Sequence, residues 1–289
     1  RRFLFASIRS AGRLVSFRMD PRTGALETLS EVPAGADPAY VATDNSGKFL
    51  LTAYYRAAKV VVHRILANGT IAQPPLQELP TADKAHAIVT DRTNRYAFVP
   101  HTGPNVIFQF LFDEGTGRLE PNSVPRVERP EQTGPRHLLF HPTQDLAYVS
   151  DEQGNSLSVY RLDADRGTLQ FLQAESTLPA GFSRPNSTAR LEVHPSGRYV
   201  YVANRGHDSL ARFEIDPSSG RVKPLGQTPT EGTPRSFNIS GSGAHLYAAG
   251  QSTGRLAAFK IKLDDSSLAR FATYEVGERP WWVLVVDAE

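Results

Sequence analysis

The chain has 289 residues, of which 40% are hydrophobic, and this is enough apolar material for a sizeable core. Its net charge of +2 argues against a large surface for nucleic acid. The absence of cysteine excludes disulfides, thiolate nucleophiles and cysteine metal sites. No apolar run reaches the roughly 18 residues of a membrane-spanning helix. We therefore expect no nucleic-acid partner and no membrane insertion, and we also predict no metal and no cofactor.

A unit of about 50 residues repeats along the chain, and fixed-period similarity of this length is typical of a repeat architecture. Each copy has a short apolar strand, a turn, a second strand rich in Tyr and Phe, a polar loop and an alternating third strand. The turns that follow the first strands contain Asp44, Asp91, Pro142, Pro195 and Gly241. No stretch shows a sustained helical period, so the pattern predicts an all-β fold, a β-propeller of four-stranded blades.

The two ends of the chain carry complementary parts of a blade. From residues 3–7 onward, the sequence has the pattern of the second, third and fourth strands of a blade, and no first strand precedes them. Residues 280–286 have the pattern of the missing type, an innermost strand. We expect the C-terminal strand 280–286 to pair with the N-terminal strands and to close one domain over 1–289. The chain contains strands for about six blades. Because it starts within a blade and without Met, we expect a truncated N-terminus and a possible seventh blade.

The blade pattern predicts that two sets of loops open on one face, around a central channel. One set enters the innermost strands, and the other connects the second and third strands. Polar groups that converge on a concavity form the default binding site. The predicted rim contains Pro38, His86, Arg136, His137, Arg190, Arg235, Trp281, Tyr54, Tyr55, Arg56, His101, Asp151, Glu152, Asn204, Arg205, Gly250 and Gln251.

The composition of this rim indicates a small anionic ligand. Arginine binds carboxylate or phosphate in two-point geometry. Glu152 among arginines is expected to be ionised, which makes it an anchor and a poor base. His86 or His137 is then the candidate to activate water. We expect further substrate contacts from His137, Arg235, Arg190 and Gln251.

The chain resembles the seven-bladed propeller lactonases, which include the propeller-type bacterial 6-phosphogluconolactonases. The likeness covers nearly the whole chain and is densest in 134–142, 203–205, 229–239, 248–251 and 282–283. The fungal 3-carboxymuconate lactonising enzymes look like relatives. Their active-site pattern implies four catalytic residues here: His86, Arg136, Glu152 and Arg205.

The resemblance also implies seven blades and a metal-independent hydrolysis of an anionic sugar lactone, such as 6-phosphogluconolactone. The chain departs from the family pattern at Arg190, where the bacterial lactonases carry an acid, and at His101. A carboxymuconate-type cycloisomerase and a non-catalytic binding propeller stay open as alternatives. We expect a cytoplasmic monomer or weak homodimer.

Several of these residues also have a purely structural interpretation. Glu152 and Arg205 could form a salt bridge between blades. His141 and His194 precede Pro in tight turns, so for them we prefer the structural interpretation. Trp281 is expected, with its neighbour Trp282, to be mostly buried in the core.

Overall fold

The computed structural model describes residues 2–35 and 37–286. Within them, regular structure consists of 23 strands in six sheets and a single 3-10 helix, Arg9–Ala11. The predicted all-β fold is confirmed. Contacts divide the chain into two compact units, 135–163 with 169–286 and the described part of 2–134 with 164–168. No helix in the described residues is long and apolar enough to span a membrane.

The first three sheets are formed by consecutive strands of residues 3–128. Sheet 1 contains β1 (Phe3–Ile8), β2 (Arg13–Met19) and β3 (Leu26–Pro33). Sheet 2 contains β4 (Pro38–Thr43), β5 (Phe49–Tyr54), β6 (Lys59–Arg64) and β7 (Gln77–Pro80). Sheet 3 contains β8 (Val89–Thr90), β9 (Tyr96–His101), β10 (Val106–Asp113) and β11 (Arg118–Glu128).

The other three sheets repeat the same four-stranded order. Sheet 4 contains β12 (Pro135–Phe140), β13 (Leu146–Asp151), β14 (Ser156–Asp163) and β15 (Thr168–Ser176). Sheet 5 contains β16 (Thr188–Val193), β17 (Tyr199–Asn204), β18 (Ser209–Ile215) and β19 (Val222–Pro229). Sheet 6 contains β20 (Pro234–Ile239), β21 (His245–Gly250), β22 (Arg255–Ile261) and β23 (Leu268–Glu275).

The core lies on the second and third strands of each sheet. Strands β5, β9, β13 and β17 are buried along their whole length. Their aromatic side chains pack with other aromatic, β-branched and Ala side chains. Tyr201 and Phe259, for example, belong to one cluster between sheets 5 and 6. This burial explains the aromatic and β-branched composition that predicted these strands.

The first strands of four sheets begin with an irregular register. In β12, Pro135 pairs with Asp151 but His137 pairs with Ser150, so Arg136 is an extra residue. A bulge of this kind turns a side chain out of the regular alternation. The same skip occurs over Pro38–Tyr40 in β4, Thr188–Leu191 in β16 and Pro234–Ser236 in β20.

A histidine follows the last residue of β12 and of β16, at the end of each strand opposite the bulge. Both histidines have structural contacts. The ring of His141 accepts the Gln144 N–H at Nδ1, at 2.9 Å, and its Nε2 donates to the Gly197 carbonyl oxygen at 2.9 Å. His194 Nε2 likewise donates to the Gly243 carbonyl oxygen at 2.9 Å. Each imidazole therefore ties one sheet to the corner of the next, which confirms the structural interpretation of both histidines.

The C-terminal segment differs from the sequence-based prediction. Residues 280–286 contain no strand. The N–H of Val283 donates to Ser236 Oγ at 2.9 Å and that of Val285 to Asn238 Oδ1 at 2.8 Å, so these donors are satisfied by side chains of β20 and not by a backbone ladder. The predicted strand is wrong for this segment, while its pairing with the N-terminal strands and the single domain stay predictions. Arg1 and 287–289, at the ends of that domain, lie outside the described residues.

Candidate active site

Three charged residues from two neighbouring sheets meet at one point. Arg136 is the bulged residue near the start of β12, Glu152 follows the last residue of β13, and Arg205 follows the last residue of β17. The Glu152 carboxylate bridges the two guanidiniums. Its Oε2 accepts Arg136 Nε at 2.9 Å, and its Oε1 lies 3.0 Å from Arg205 Nη2. Residues about 70 positions apart thus form one cluster, as the repeat pattern predicts.

Arg136 is the most buried residue of this cluster, with only 2% of its surface exposed. Its Nη1 lies 3.3 Å from both ring nitrogens of His137, the next residue. A guanidinium has donors on all three nitrogens and no acceptor. Within the described residues, Nε and Nη1 have the partners given above, and Nη2 is the remaining donor group of Arg136. Arg136 can therefore hold Glu152 and still present N–H groups to a ligand.

The electrostatics favour an ionised Glu152. Burial alone raises the pKa of its carboxyl, but the positive charges of Arg136 and Arg205 outweigh burial and lower it below its usual value. For Arg136, burial and then repulsion from Arg205 lower the pKa well below its usual value, although Glu152 opposes both effects. The cluster thus keeps a permanent negative charge between cations, as the sequence indicated for Glu152.

Arg205 is also held by backbone carbonyl groups at the start of β16, in its own sheet. Its Nη2 donates to the Thr188 carbonyl oxygen at 2.9 Å, and its Nε contacts the Ser187 carbonyl oxygen at 3.4 Å. The salt bridge between blades, from Arg205 to Glu152, is present as well. It does not exclude a role in binding, because the same contacts fix the direction of the guanidinium.

Two further arginines lie against the C-terminal tryptophans. Arg235 Cζ is 4.4 Å from the ring centroid of Trp281, and Arg190 Cζ is 4.1 Å from that of Trp282. Arg190 is also paired with Glu192, at 2.5 Å from Nη2 to Oε1. The expectation that both indoles are mostly core is wrong, since Trp281 is 45% and Trp282 47% exposed.

Comparison with known proteins places the chain in a family. The family profile described as "Lactonase, 7-bladed beta-propeller" matches residues 1–285. The chain belongs to the seven-bladed β-propeller lactonases. A 6-phosphogluconolactonase of Pectobacterium carotovorum is 33% identical over 99% of this chain and 85% of the relative. One of Cronobacter sakazakii is 30% identical with the same coverage, 99% of this chain and 85% of the relative.

Solved structures agree with this placement. The periplasmic gluconolactonase of Pseudomonas aeruginosa superimposes with a TM-score of 0.88 at 27% identity, over 96% of this chain and 83% of that one. A protein of Lactobacillus plantarum gives a TM-score of 0.89 at 22% identity, over 97% and 84%, and shows the fold alone. The predicted β-propeller fold is confirmed.

Of the four residues that the lactonase resemblance assigns to catalysis, three form the cluster and His86 belongs to the other compact unit. His86 is buried, its ring lies edge-on to Tyr55 with centroids 5.8 Å apart, and its backbone N–H donates to the Pro100 carbonyl oxygen at 2.9 Å. A catalytic role for His86 stays a prediction.

His101 does not belong to an open rim. Its side chain is fully buried, its Nδ1 donates to the Val99 carbonyl oxygen at 2.9 Å, and its Nε2 accepts the Ala82 N–H at 3.4 Å. Burial lowers its pKa to about 4. The prediction that His101 lines the rim is wrong, because both ring nitrogens contact backbone.

Gln251 occupies the position after β21 that Glu152 and Arg205 occupy after β13 and β17. It lines a cavity of about 750 Å³ near the end of sheet 6. The other residues lining this cavity are Thr233, Ser252, Thr253, Gly254, Glu275, Gly277, Glu278 and Arg279. The lining, taken over the described part of the chain, includes none of the three clustered charges. Substrate contacts of Gln251 and of Arg190 stay predictions.

Two features of the site were not predicted from the sequence. The first is the bulge that redirects Arg136 and Arg235, for which the Pro-Arg pairs at 135–136 and 234–235 are the only sequence signal. The second is the stacking of Arg235 on Trp281, which depends on the path of the C-terminal segment.

Proposed function

We propose that this lactonase-family protein hydrolyses 6-phosphogluconolactone to 6-phosphogluconate. The observation that carries the proposal is the Arg136–Glu152–Arg205 cluster in a chain 33% identical to relatives named 6-phosphogluconolactonase. A cluster with more positive than negative charge suits a substrate that carries phosphate and develops an oxyanion during the reaction.

In the proposed reaction, the oxygen of a water molecule adds to the lactone carbonyl carbon. The carbonyl oxygen becomes an oxyanion, which Arg136 Nη2 and the Arg205 guanidinium stabilise through N–H donors fixed before the substrate binds. The bond between the carbonyl carbon and the ring oxygen then breaks. One water proton passes through the base to the ring oxygen, which becomes a hydroxyl. The second proton is released to solvent when the new carboxylic acid ionises to the product carboxylate.

Glu152 orients the two arginines and is not the base. It accepts from both guanidiniums, and its lowered pKa makes it a weak proton acceptor. The base is His137 or His86. His137 is supported by its position, because its ring lies against the cluster, with both ring nitrogens 3.3 Å from Arg136 Nη1.

Arg235 is the best candidate to bind the phosphate group of the substrate. Arg235 interacts electrostatically with both Arg136 and Glu152, so it lies close to the cluster. Arg190 is largely neutralised by Glu192 and covered by Trp282, which makes it the weaker anion site. We further propose a cytoplasmic monomer or weak homodimer, since the substrate is a small intracellular metabolite and the reaction requires no second subunit.

Hydrolysis of freshly prepared 6-phosphogluconolactone tests the proposal. The rate of 6-phosphogluconate formation is measured with and without protein, because the lactone also opens spontaneously. We expect a rate above the spontaneous one for the wild type and for Arg221→Ala, a matched control at an exposed arginine that immediately precedes β19.

His137→Ala and His86→Ala identify the base, since only the base variant should lose the activity and its pH dependence together. A folded wild-type protein that gives no excess over spontaneous opening would overturn the proposal. Loss of the ultraviolet absorbance of 3-carboxymuconate under the same conditions would replace it with the cycloisomerase alternative.

A further inference from the structure

The C-terminal segment runs beside β20 in a defined register. Val283 contacts Ser236 and Val285 contacts Asn238 through the two hydrogen bonds described above. Because both partners advance by two residues from one bond to the next, the segment 280–286 is parallel to β20. Its first residues therefore lie at the end of β20 where the bulged arginine is found.

Trp281 covers the guanidinium of that arginine. The Arg235 Cζ is 4.4 Å from the centre of the indole, and the indole keeps 45% of its surface exposed. Stacking uses the face of the planar guanidinium and leaves its N–H edges directed away from the ring. It also restricts a long side chain that would otherwise lose considerable rotamer freedom when it binds an anion.

The neighbouring pair is built differently. Arg190 lies over Trp282, but its Nε also donates to Glu192 at 2.5 Å, and Glu192 accepts Asn238 Nδ2 at 3.0 Å. A carboxylate therefore fixes Arg190 independently of the indole. Arg235 lies over Trp281, and it also acts electrostatically on Arg136 and Glu152 within the cluster.

We propose that Trp281 is a positioning residue that determines specificity by holding Arg235 for the phosphate group of the substrate. The proposal rests on the proposed function and adds the residue that makes the site prefer a phosphorylated lactone. The phosphate oxygens accept N–H bonds from the edge of Arg235, and Trp281 itself contacts the guanidinium and not the reacting atoms. Trp281 should therefore affect KM and leave kcat nearly unchanged.

Steady-state kinetics with two substrates test this role. Trp281→Leu removes the aromatic face but keeps an apolar side chain, whereas Trp281→Phe keeps an aromatic face. We expect Trp281→Leu to raise KM for 6-phosphogluconolactone about 3- to 10-fold, to leave KM for unphosphorylated gluconolactone unchanged, and to be largely rescued by Trp281→Phe. The matched control is Phe182→Leu, which removes another arginine–aromatic pair, with Arg184 Cζ at 5.2 Å, outside the cluster.

A double-mutant cycle separates positioning from general stabilisation. If Trp281 acts through Arg235, then Trp281→Leu adds no further increase in KM to Arg235→Ala. Equal KM changes for both lactones, or additive effects in the cycle, would overturn the proposal even with an active wild type.

Fluorescence provides a readout that does not require turnover. The chain contains two tryptophans, so Trp282→Phe leaves Trp281 as the single indole fluorophore. We expect 6-phosphogluconate to change the emission of Trp282→Phe in a saturable manner and gluconate to leave it unchanged. An emission that does not respond to 6-phosphogluconate would contradict the assignment. Failure of the proposed function would instead appear as a wild type that hydrolyses neither lactone.

Discussion

The two ends of β12 hold polar side chains with different kinds of partner. One end has a cluster of charged side chains, and the other has a histidine at a turn. At one end, Arg136 and Glu152 contact each other, and at the other end the His141 ring contacts the Gly197 carbonyl oxygen and the Gln144 N–H. Asp44 stands at such a corner in sheet 2, where its Oδ1 accepts the Phe49 N–H at 2.8 Å and its Oδ2 accepts the Asn94 Nδ2–H at 2.9 Å. Buried polar groups that are satisfied by backbone stabilise a corner. Removing charges from water costs free energy even when they are paired with other side chains. A cluster of such charges is therefore a candidate functional site.

This comparison explains how one blade pattern supports both a fold and a site. The corner residues recur from sheet to sheet, as Asp44 and Asp91 in one compact unit and His141 and His194 in the other. The cluster occurs where Arg136 and Arg205 face one carboxylate. The four predictions below test this distinction, from the largest expected effect to the smallest.

Arg136→Ala should have the largest effect on activity. It removes the donors that the proposed mechanism directs at the oxyanion, and we expect kcat/KM to fall about 10²- to 10³-fold. Arg136→Lys should restore little, because a single ammonium cannot reproduce the fork that holds Glu152 and His137. Initial rates on 6-phosphogluconolactone with Arg221→Ala as control check this, and a loss below threefold would remove Arg136 from the mechanism.

Glu152→Gln should lower stability in a pH-dependent manner. It leaves the buried Arg136 without its counter-charge, which costs about 3 kcal/mol of unfolding free energy at neutral pH. The pKa of Glu152 is lowered in the folded state, so its contribution is complete above the unfolded pKa of about 4.3 and is lost as the pH falls through the folded value. Urea unfolding of both proteins from pH 7 to pH 3 measures the difference. A difference that grows on acidification would contradict this account.

His101, which is not a member of the Arg136–Glu152–Arg205 cluster, should make the unfolding free energy depend on pH. Its folded pKa of about 4 lies below the usual value of 6.5, so the unfolded chain binds a proton that the folded chain rejects. Stability is complete above pH 6.5 and falls by roughly 3 kcal/mol as the pH falls toward 4. His101→Gln should be less stable at pH 7 but flatter between these values. An unchanged slope in this variant would show that other groups control the transition.

His141→Ala should affect the fold and spare the chemistry. It removes the bond to the Gly197 carbonyl oxygen and the acceptor of Gln144, and we expect a loss of about 1 to 3 kcal/mol in unfolding free energy. The kcat/KM of the folded fraction should stay within about twofold, since the corner lies at the other end of β12. A large fall in kcat without destabilisation would refute the separation of the two ends.

The repeat pattern was sufficient to predict the strands and three members of the cluster. Arg136, Glu152 and Arg205 could be placed together because each occupies a fixed position in its blade, which periodicity reveals. Side-chain burial could not be predicted in the same way. His101 is the last residue of β9, one position before the one that Glu152 and Arg205 occupy after β13 and β17, and its ring contacts the Val99 carbonyl oxygen. Trp281 stays exposed because residues 280–286 bind side chains of β20 and do not pair as a strand.

The most direct test of the central claim is a crystal structure of the protein with 6-phosphogluconate. The account predicts that the product carboxylate lies within about 3.2 Å of a guanidinium nitrogen of Arg136 or Arg205. It also predicts that the phosphate contacts Arg235. Product bound at the His141 corner, or elsewhere without contact to these arginines, would contradict it.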